Sequence, residues 1–151
     1  MAKRTPAGDA FSMIAVKVMY LNGLLQEAGT KMADSAGQTS ARWRVLAAAE
    51  IKTMTVAEIS RALGLARQGV QRLADDLAED GLTIYKDNPN DKRAMHVALT
   101  PAGKKALSTI QSEQREWANG IGEKVGMRAL KEVDLALRNL ITGLNTSKDP
   151  S

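Results

Sequence analysis

The sequence predicts a mainly α-helical fold carrying a two-stranded β hairpin, and three observations lead there. Apolar residues recur at three- and four-residue steps along most of the chain, the pattern of helices that bury one face. That period gives way to alternation only between Leu82 and Leu99. Aromatic residues make up only 3% of the 151, so aliphatic side chains and alanine must fill the core, which suits helices better than a β sandwich.

Phe11, Ile14, Ala15, Val18, Leu21, Leu25 and Ala28 form one stripe, which predicts a helix over about 10–28 ended by Gly29. Met1–Ala10 reads as a flexible arm and 30–38 as a polar connection. Thr39 or Ser40 caps a second helix through Trp43, Val45, Leu46 and Ala49. Thr55-Val56-Ala57-Glu58 has the spacing of a capping box, which opens a short third helix with Val56, Ile59, Ala62 and Leu63 inward. Gly64 suits the left-handed position after it. A fourth helix starts near Ala66, buries Val70, Leu73, Ala74 and Leu77, and stops at Gly81. Two short helices joined by a glycine turn form a helix-turn-helix unit.

Leu82, Ile84, Met95, Val97 and Leu99 alternate with smaller or polar residues on two strands, and Asp87-Asn88-Pro89-Asn90-Asp91 supplies the turn between them. This hairpin is a wing. Thr100-Pro101 pairs a capping hydroxyl with proline at the first helical position and starts a long fifth helix. Leu107, Ile110, Trp117 and Ile121 line its apolar side, and glycines 120, 122 and 126 loosen its end. A last helix runs over about 127–144, followed by a polar tail at 145–151. The fold class is therefore a winged helix-turn-helix with additional N- and C-terminal helices.

Composition removes several functions. There is no cysteine, so disulfides and thiolate metal sites are excluded, and a single histidine, His96, makes a histidine-rich zinc site a poor expectation. His96 reads as a wing-surface or half-buried residue, and the 7 scattered methionines as core filler. No nucleophile stands beside a base, and no glycine-rich phosphate loop or metal-ligand spacing is present, so neither enzymatic activity nor a cofactor is expected. No apolar run approaches the ~20 residues of a membrane span, and a cytoplasmic location is expected. The net charge of +4 fits a nucleic-acid partner without requiring one.

Asp91-Lys92-Arg93, Leu99-Thr100-Pro101-Ala102-Gly103 and the stretch LADDLAEDGL over 73–82 resemble, respectively, the D-x-R wing motif, the L-T-x-x-G exit into the fifth helix and the recognition-helix ending of the MarR family of transcription regulators. By order of elements the resemblance spans about 11–144, and its specific part is 43–103. It departs at Ala66 and Gly69, where the family often carries Ser or Thr. Ala66 cannot cap the recognition helix with a side chain, and Gly69 costs about 1 kcal/mol of helix propensity relative to alanine.

Opposite the buried face of the fourth helix lie Gln68, Gln71, Arg72 and Asp75, with Arg67 at its start. In helix-turn-helix proteins this end enters the major groove, where Arg pairs with guanine and Gln with adenine. A plain alternative is a solvated face with Arg72 paired to Asp75 or Asp76. Asp75, Asp76, Glu79 and Asp80 make the far end acidic, so only the first two turns should lie in a groove. The resemblance implies that Arg93 reaches the minor groove, with Asp91 orienting it and Lys92 beside it; the alternative is that Asp91 and Arg93 only staple the hairpin tip.

The resemblance also implies a single chain of 1–151 with a DNA-binding lobe at 39–100 and dimerisation helices at 11–28 and 101–144. Two-fold repetition suits the few base pairs that one recognition helix reads; the alternative is a monomer whose end helices pack on its own core. It further implies a cleft for a small phenolic or amphipathic ligand, which Tyr20, Trp43 and Arg44 would line if they are not simply core. The functional expectation is a homodimeric repressor on a pseudo-palindromic duplex operator, possible relief by ligand included. The competing expectation is a winged-helix protein–protein module or accessory factor.

Overall fold

The computed structural model describes residues 3–146. Its elements are α1 (Pro6–Asp34), α2 (Ser40–Ile51), β1 (Met54–Thr55), α3 (Val56–Leu63), α4 (Arg67–Glu79), β2 (Thr83–Lys86), β3 (His96–Leu99), α5 (Pro101–Val125) and α6 (Met127–Thr146). The chain forms two compact units, divided after Glu113 within α5.

In the first unit Leu46, Ile59, Val70, Leu77, Val97 and Leu107 are completely buried and join α2, α3, α4, β3 and the start of α5 into one core. Each such side chain contributes about 1.5–3 kcal/mol by leaving water. The local start signals hold. The Thr55 hydroxyl accepts the Glu58 amide at 3.2 Å while the Glu58 carboxylate accepts the Thr55 amide at 2.8 Å. Thr39 caps α2 through the Arg42 amide, and Thr100 caps α5 through the Gly103 amide at 3.0 Å. Gly64 takes the left-handed conformation at φ 65° and turns α3 into α4.

Several expectations give way. Residues 5–10 are not an arm: Thr5 caps α1 at the Gly8 amide, and the helix starts at Pro6. Gly29 does not end α1. It is buried where α1 meets Ser40 and Trp43 of α2, and the next turn carries Met32 and Ala33 into the interior. That burial outweighs the ~1 kcal/mol propensity cost of a helical glycine. On α3, Ser60 is buried where Ala62 was expected, and Ala62 is exposed. Glycines 120 and 122 lie within α5, which ends only at Gly126, φ 84°. The expected tail starts later than 145, since α6 runs to Thr146; its remainder, 147–151, lies outside the described residues.

The sheet has three strands in the order β1-β3-β2, all antiparallel, so the hairpin gains a short third partner. Met54 pairs with Val97 and Tyr85 with Val97 from the other side. The phase of β2 is opposite to that expected. Thr83 is 1% exposed and Ile84 45% exposed. The Thr83 hydroxyl donates to the Ala74 carbonyl at 3.4 Å, which lets a polar residue occupy the inner face.

In the second unit α6 has no buried residue. Val133, Leu137 and Ile141 project their apolar surface outward at helical spacing. In the first unit α1 does the same with Phe11, Ile14, Val18, Leu21 and Leu25.

Candidate nucleic-acid interface

Burial of Val70, Ala74 and Leu77 fixes which side of α4 faces outward. Arg67, Gln68, Gly69, Gln71 and Arg72 are all exposed on its first two turns. Ala66 occupies the cap position of α4 without a side-chain hydrogen bond, as expected. The far end is held back by Arg42 of α2, which pairs with Asp80 at 2.5 Å. That contact neutralises one of the four acidic groups at this end.

The wing tip is built from side-chain to backbone hydrogen bonds. Asn88 is buried and donates to the Ala94 carbonyl at 2.9 Å, while its own side-chain oxygen accepts the Asn90 amide at 3.0 Å. Asp91 accepts the Arg93 amide at 2.9 Å. Asp91 therefore staples the tip through the Arg93 backbone and leaves the guanidinium free. Among the described residues Arg67, Arg72, Lys92 and Arg93 have no ion pair, and the alternative pairing of Arg72 with Asp75 or Asp76 does not form.

Between α4 and the wing lies a cleft of about 270 Å³. Arg67 and Gln71 line it from α4, Tyr85 and Arg93 from the hairpin, and Thr55 from the start of α3. Gln68, Arg72 and Lys92 stand outside it. Tyr85 was not singled out by sequence reasoning, because the assumed phase of β2 placed Ile84 inward instead. Its hydroxyl donates to Asp75 Oδ1 at 2.5 Å, and Gln71 Nε2 donates to that same oxygen at 2.9 Å and to the Tyr85 oxygen at 3.0 Å. Partial burial, and then the Asp75 carboxylate that accepts its proton, push the Tyr85 phenol well above the ordinary tyrosine range. In the capping box at the start of α3, the Thr55 amide holds the Glu58 carboxyl below its ordinary 4.5, and burial works against this.

A second cleft, of about 350 Å³, lies between α1 and α2. Trp43 and Arg44 line it together with Asn22, Leu25, Gln26 and Gly29. Tyr20 does not join them and is 71% exposed. Positions 22, 25, 26 and 29 form one helical face, and residue 20 lies two positions before it, about 200° around the helix. A third, cationic cleft of about 460 Å³ at the wing root carries Lys52, Lys86 and Lys104, none of them a sequence-derived site residue.

Among the described residues no group of His, Asp or Glu is arranged to hold a metal ion, and no helix is long and apolar enough to cross a membrane.

The family model of the MarR family matches residues 36–94, the stretch that holds both the helix-turn-helix and most of the wing. The chain is 32% identical over 140 residues to uncharacterized protein Rv2011c of Mycobacterium tuberculosis, covering 93% of this chain and 98% of that one. It is 24% identical over 130 residues to the transcriptional repressor MprA of Escherichia coli, covering 84% of this chain and 74% of MprA. Among solved structures, a MarR family transcription regulator superposes with a TM-score of 0.80 at 21% identity over 91% of this chain and 94% of that chain. A single-site mutant of Escherichia coli MarR in complex with operator DNA superposes with a TM-score of 0.77 at 17% identity, over 90% and 99% of the two chains. The fold, the wing motif, the family match and the 32% identity along almost the whole length lead to one assignment: this chain belongs to the MarR family.

Proposed function

We propose that this chain is a transcription regulator that binds a pseudo-palindromic duplex DNA operator as a homodimer and represses by occupying it. The observation that carries this reading is the pair of cations without an ion-pair partner that face one cleft, Arg67 on α4 and Arg93 on the wing, with Arg72 and Lys92 exposed on the same two elements outside it. The first two turns of α4 enter the major groove, where Arg67, Gln68, Gln71 and Arg72 meet base edges and phosphates. Arg93 reaches the adjacent minor groove, whose narrow A·T stretches concentrate negative potential. Asp91 holds the wing tip so that the guanidinium projects. MprA, a relative along most of the chain, is named a repressor, which supports that sign of regulation.

The apolar stripes of α1 and α6 support the homodimer. Val18, Leu21 and Leu25 in one unit, and Val133, Leu137 and Ile141 in the other, are left in water by a single chain. A second copy that covers them sets two recognition helices about one DNA turn apart. The cleft beside Trp43 and Arg44 has the size of a small-ligand site, with an aromatic wall and one cation. A phenolic or amphipathic anion bound there would relieve repression.

Selection of bound sites from random duplex DNA, together with light scattering of the free protein, tests the proposal. A two-fold symmetric consensus and a mass about twice 16.2 kDa are expected. Salt-sensitive binding without any consensus, or a monomer at micromolar concentration, would overturn it.

A further inference from the structure

On the basis of the operator-binding reading above, we propose that the lysine-lined outer face of the wing is a second DNA-binding surface. Lys86 leads it, with Lys52 and Lys104 behind, and it grips the phosphate strand on the far side of the minor groove from α4. The hairpin has two faces. Tyr85 pairs with Val97 and lines the cleft shared with α4, whereas the next residue, Lys86, points to the opposite face, as successive residues of a strand do. The cationic cleft of about 460 Å³ lies on that opposite face, between the end of α2, the hairpin and the first turn of α5. Lys52, Lys86 and Lys104 line it, all exposed, against a single carboxylate, Glu50. Glu50 already accepts the Gln111 side-chain amide at 2.8 Å. Among the described residues none of the three lysines makes an ion pair, and the Lys52 charge reaches Glu58 only at longer range.

Three like charges around one cleft repel one another, and a polyanion relieves that repulsion. The place of the cleft identifies the polyanion. Residues 87–95 form the projecting tip, and Lys86 and His96 are the last rung of the sheet before it. The minor groove is about 6 Å wide between its two phosphate strands. When Arg93 at the tip enters it, one strand runs along the α4 side of the wing and the other along the outer face, nearest Lys86. Lys52 lies three residues before Thr55, which shares the His96 rung. Lys104 lies beyond Leu99, about 10 Å farther from the tip. Contact with DNA should therefore weaken in the order Lys86, Lys52, Lys104.

A phosphate contact carries no sequence information. This surface therefore adds affinity and fixes the wing in its groove, and it leaves base preference to α4 and to the wing tip.

The test uses the full-length protein, its selected operator, a random duplex of equal length, and the variants Lys86→Ala, Lys52→Ala, Lys104→Ala and all three together. Lys86→Ala should weaken both duplexes by the same factor, about three-fold or more, and lower the salt slope by about one unit. The triple variant should lower the slope by about two units with base preferences unchanged. Replacing operator phosphates one at a time with neutral methylphosphonate locates the contact and separates it from a change in net charge. One replacement, across the minor groove from the α4 side, should weaken the wild type about three-fold or more and leave Lys86→Ala unaffected. A triple variant with wild-type affinity and salt slope would overturn the proposal. So would a Lys86→Ala protein that loses as much as the wild type at every phosphate. If the wild type binds inorganic pyrophosphate and the triple variant loses only that, the cleft is a small-anion site and the DNA surface is refuted. Failure of the operator reading looks different: the wild type then has no preferred site, and the salt slope of the triple variant on random duplex still decides the lysine surface.

Discussion

Gly103 lies where the start of α5 crosses the backbone at the entry to β2, and replacing it with alanine should be strongly destabilising. A Cβ at 103 would lie 1.9 Å from the Leu82 carbonyl oxygen and 2.9 Å from its carbon, against a practical lower limit of 3.0 Å. The obstacle is backbone, so α5 must retreat by about 1 Å. That retreat pulls on the Thr100 amide, which donates to the same Leu82 oxygen at 3.1 Å, and on the Thr100 hydroxyl, which donates to Gly81 at 2.6 Å. Weakening such bonds costs about 1–3 kcal/mol, and forced overpacking adds about 1–3 kcal/mol. The helix-propensity gain of alanine, at most about 1 kcal/mol, offsets part of this. The expected net loss is about 2–4 kcal/mol, or roughly 5–15 °C in Tm for a chain of this size. Gly69→Ala is the matched control: nothing lies within 4 Å of its would-be Cβ, so the same substitution should stabilise by about 0.5–1 kcal/mol. Urea and thermal unfolding at one fixed protein concentration measure both, since dimerisation makes Tm concentration-dependent. A Gly103→Ala protein as stable as wild type would refute the reasoning.

On the wing, Arg93→Ala should weaken operator binding about ten-fold or more and lower the salt slope by about one unit, with unchanged helical circular dichroism. Unaltered affinity and slope in salt titrations would leave the wing out of the mechanism. For the inverted phase of β2, Thr83→Asp should cost more than about 3 kcal/mol by burying a charge, whereas Ile84→Asp should stay within about 1 kcal/mol. Equal losses in urea melts would contradict the assigned phase. Glu58 is held below its ordinary 4.5, so its contribution is complete above that pH and fades as pH falls through the lower folded value. Glu58→Gln should keep the capping geometry and flatten this acid limb of the stability–pH curve; an unchanged limb would assign it to other carboxylates.

Much of this protein is written in short stretches of chain. A capping box at Thr55 and Glu58, a left-handed turn at Gly64 and the Thr100-Pro101 start each depend on a few adjacent residues, so the sequence by itself determined where α3 and α5 begin and how α3 turns into α4. The outward face of α4 was equally legible. Once Val70, Ala74 and Leu77 are buried, helical geometry turns Gln68, Gln71 and Arg72 away from the core, and Arg67 is exposed as the first residue of the helix. Tertiary structure decided what local patterns leave open. The inner face of β2 belongs to Thr83 and Tyr85 because the Ala74 carbonyl and Asp75 receive their hydroxyls from a different element, while Ile84 has no such partner. Gly29 lies inside α1 because Trp43 of α2 packs there, a contact between distant stretches of chain that no window around residue 29 contains. Tyr20 missed the cleft of Trp43 and Arg44 because the rotation of α1 against α2 is set by that packing. The partners of Gln71 are the sharpest case. Asp75 is one turn away and visible in the sequence, but Tyr85 arrives only when the hairpin folds back, and its hydroxyl then lies within hydrogen-bond distance of both Gln71 and Asp75.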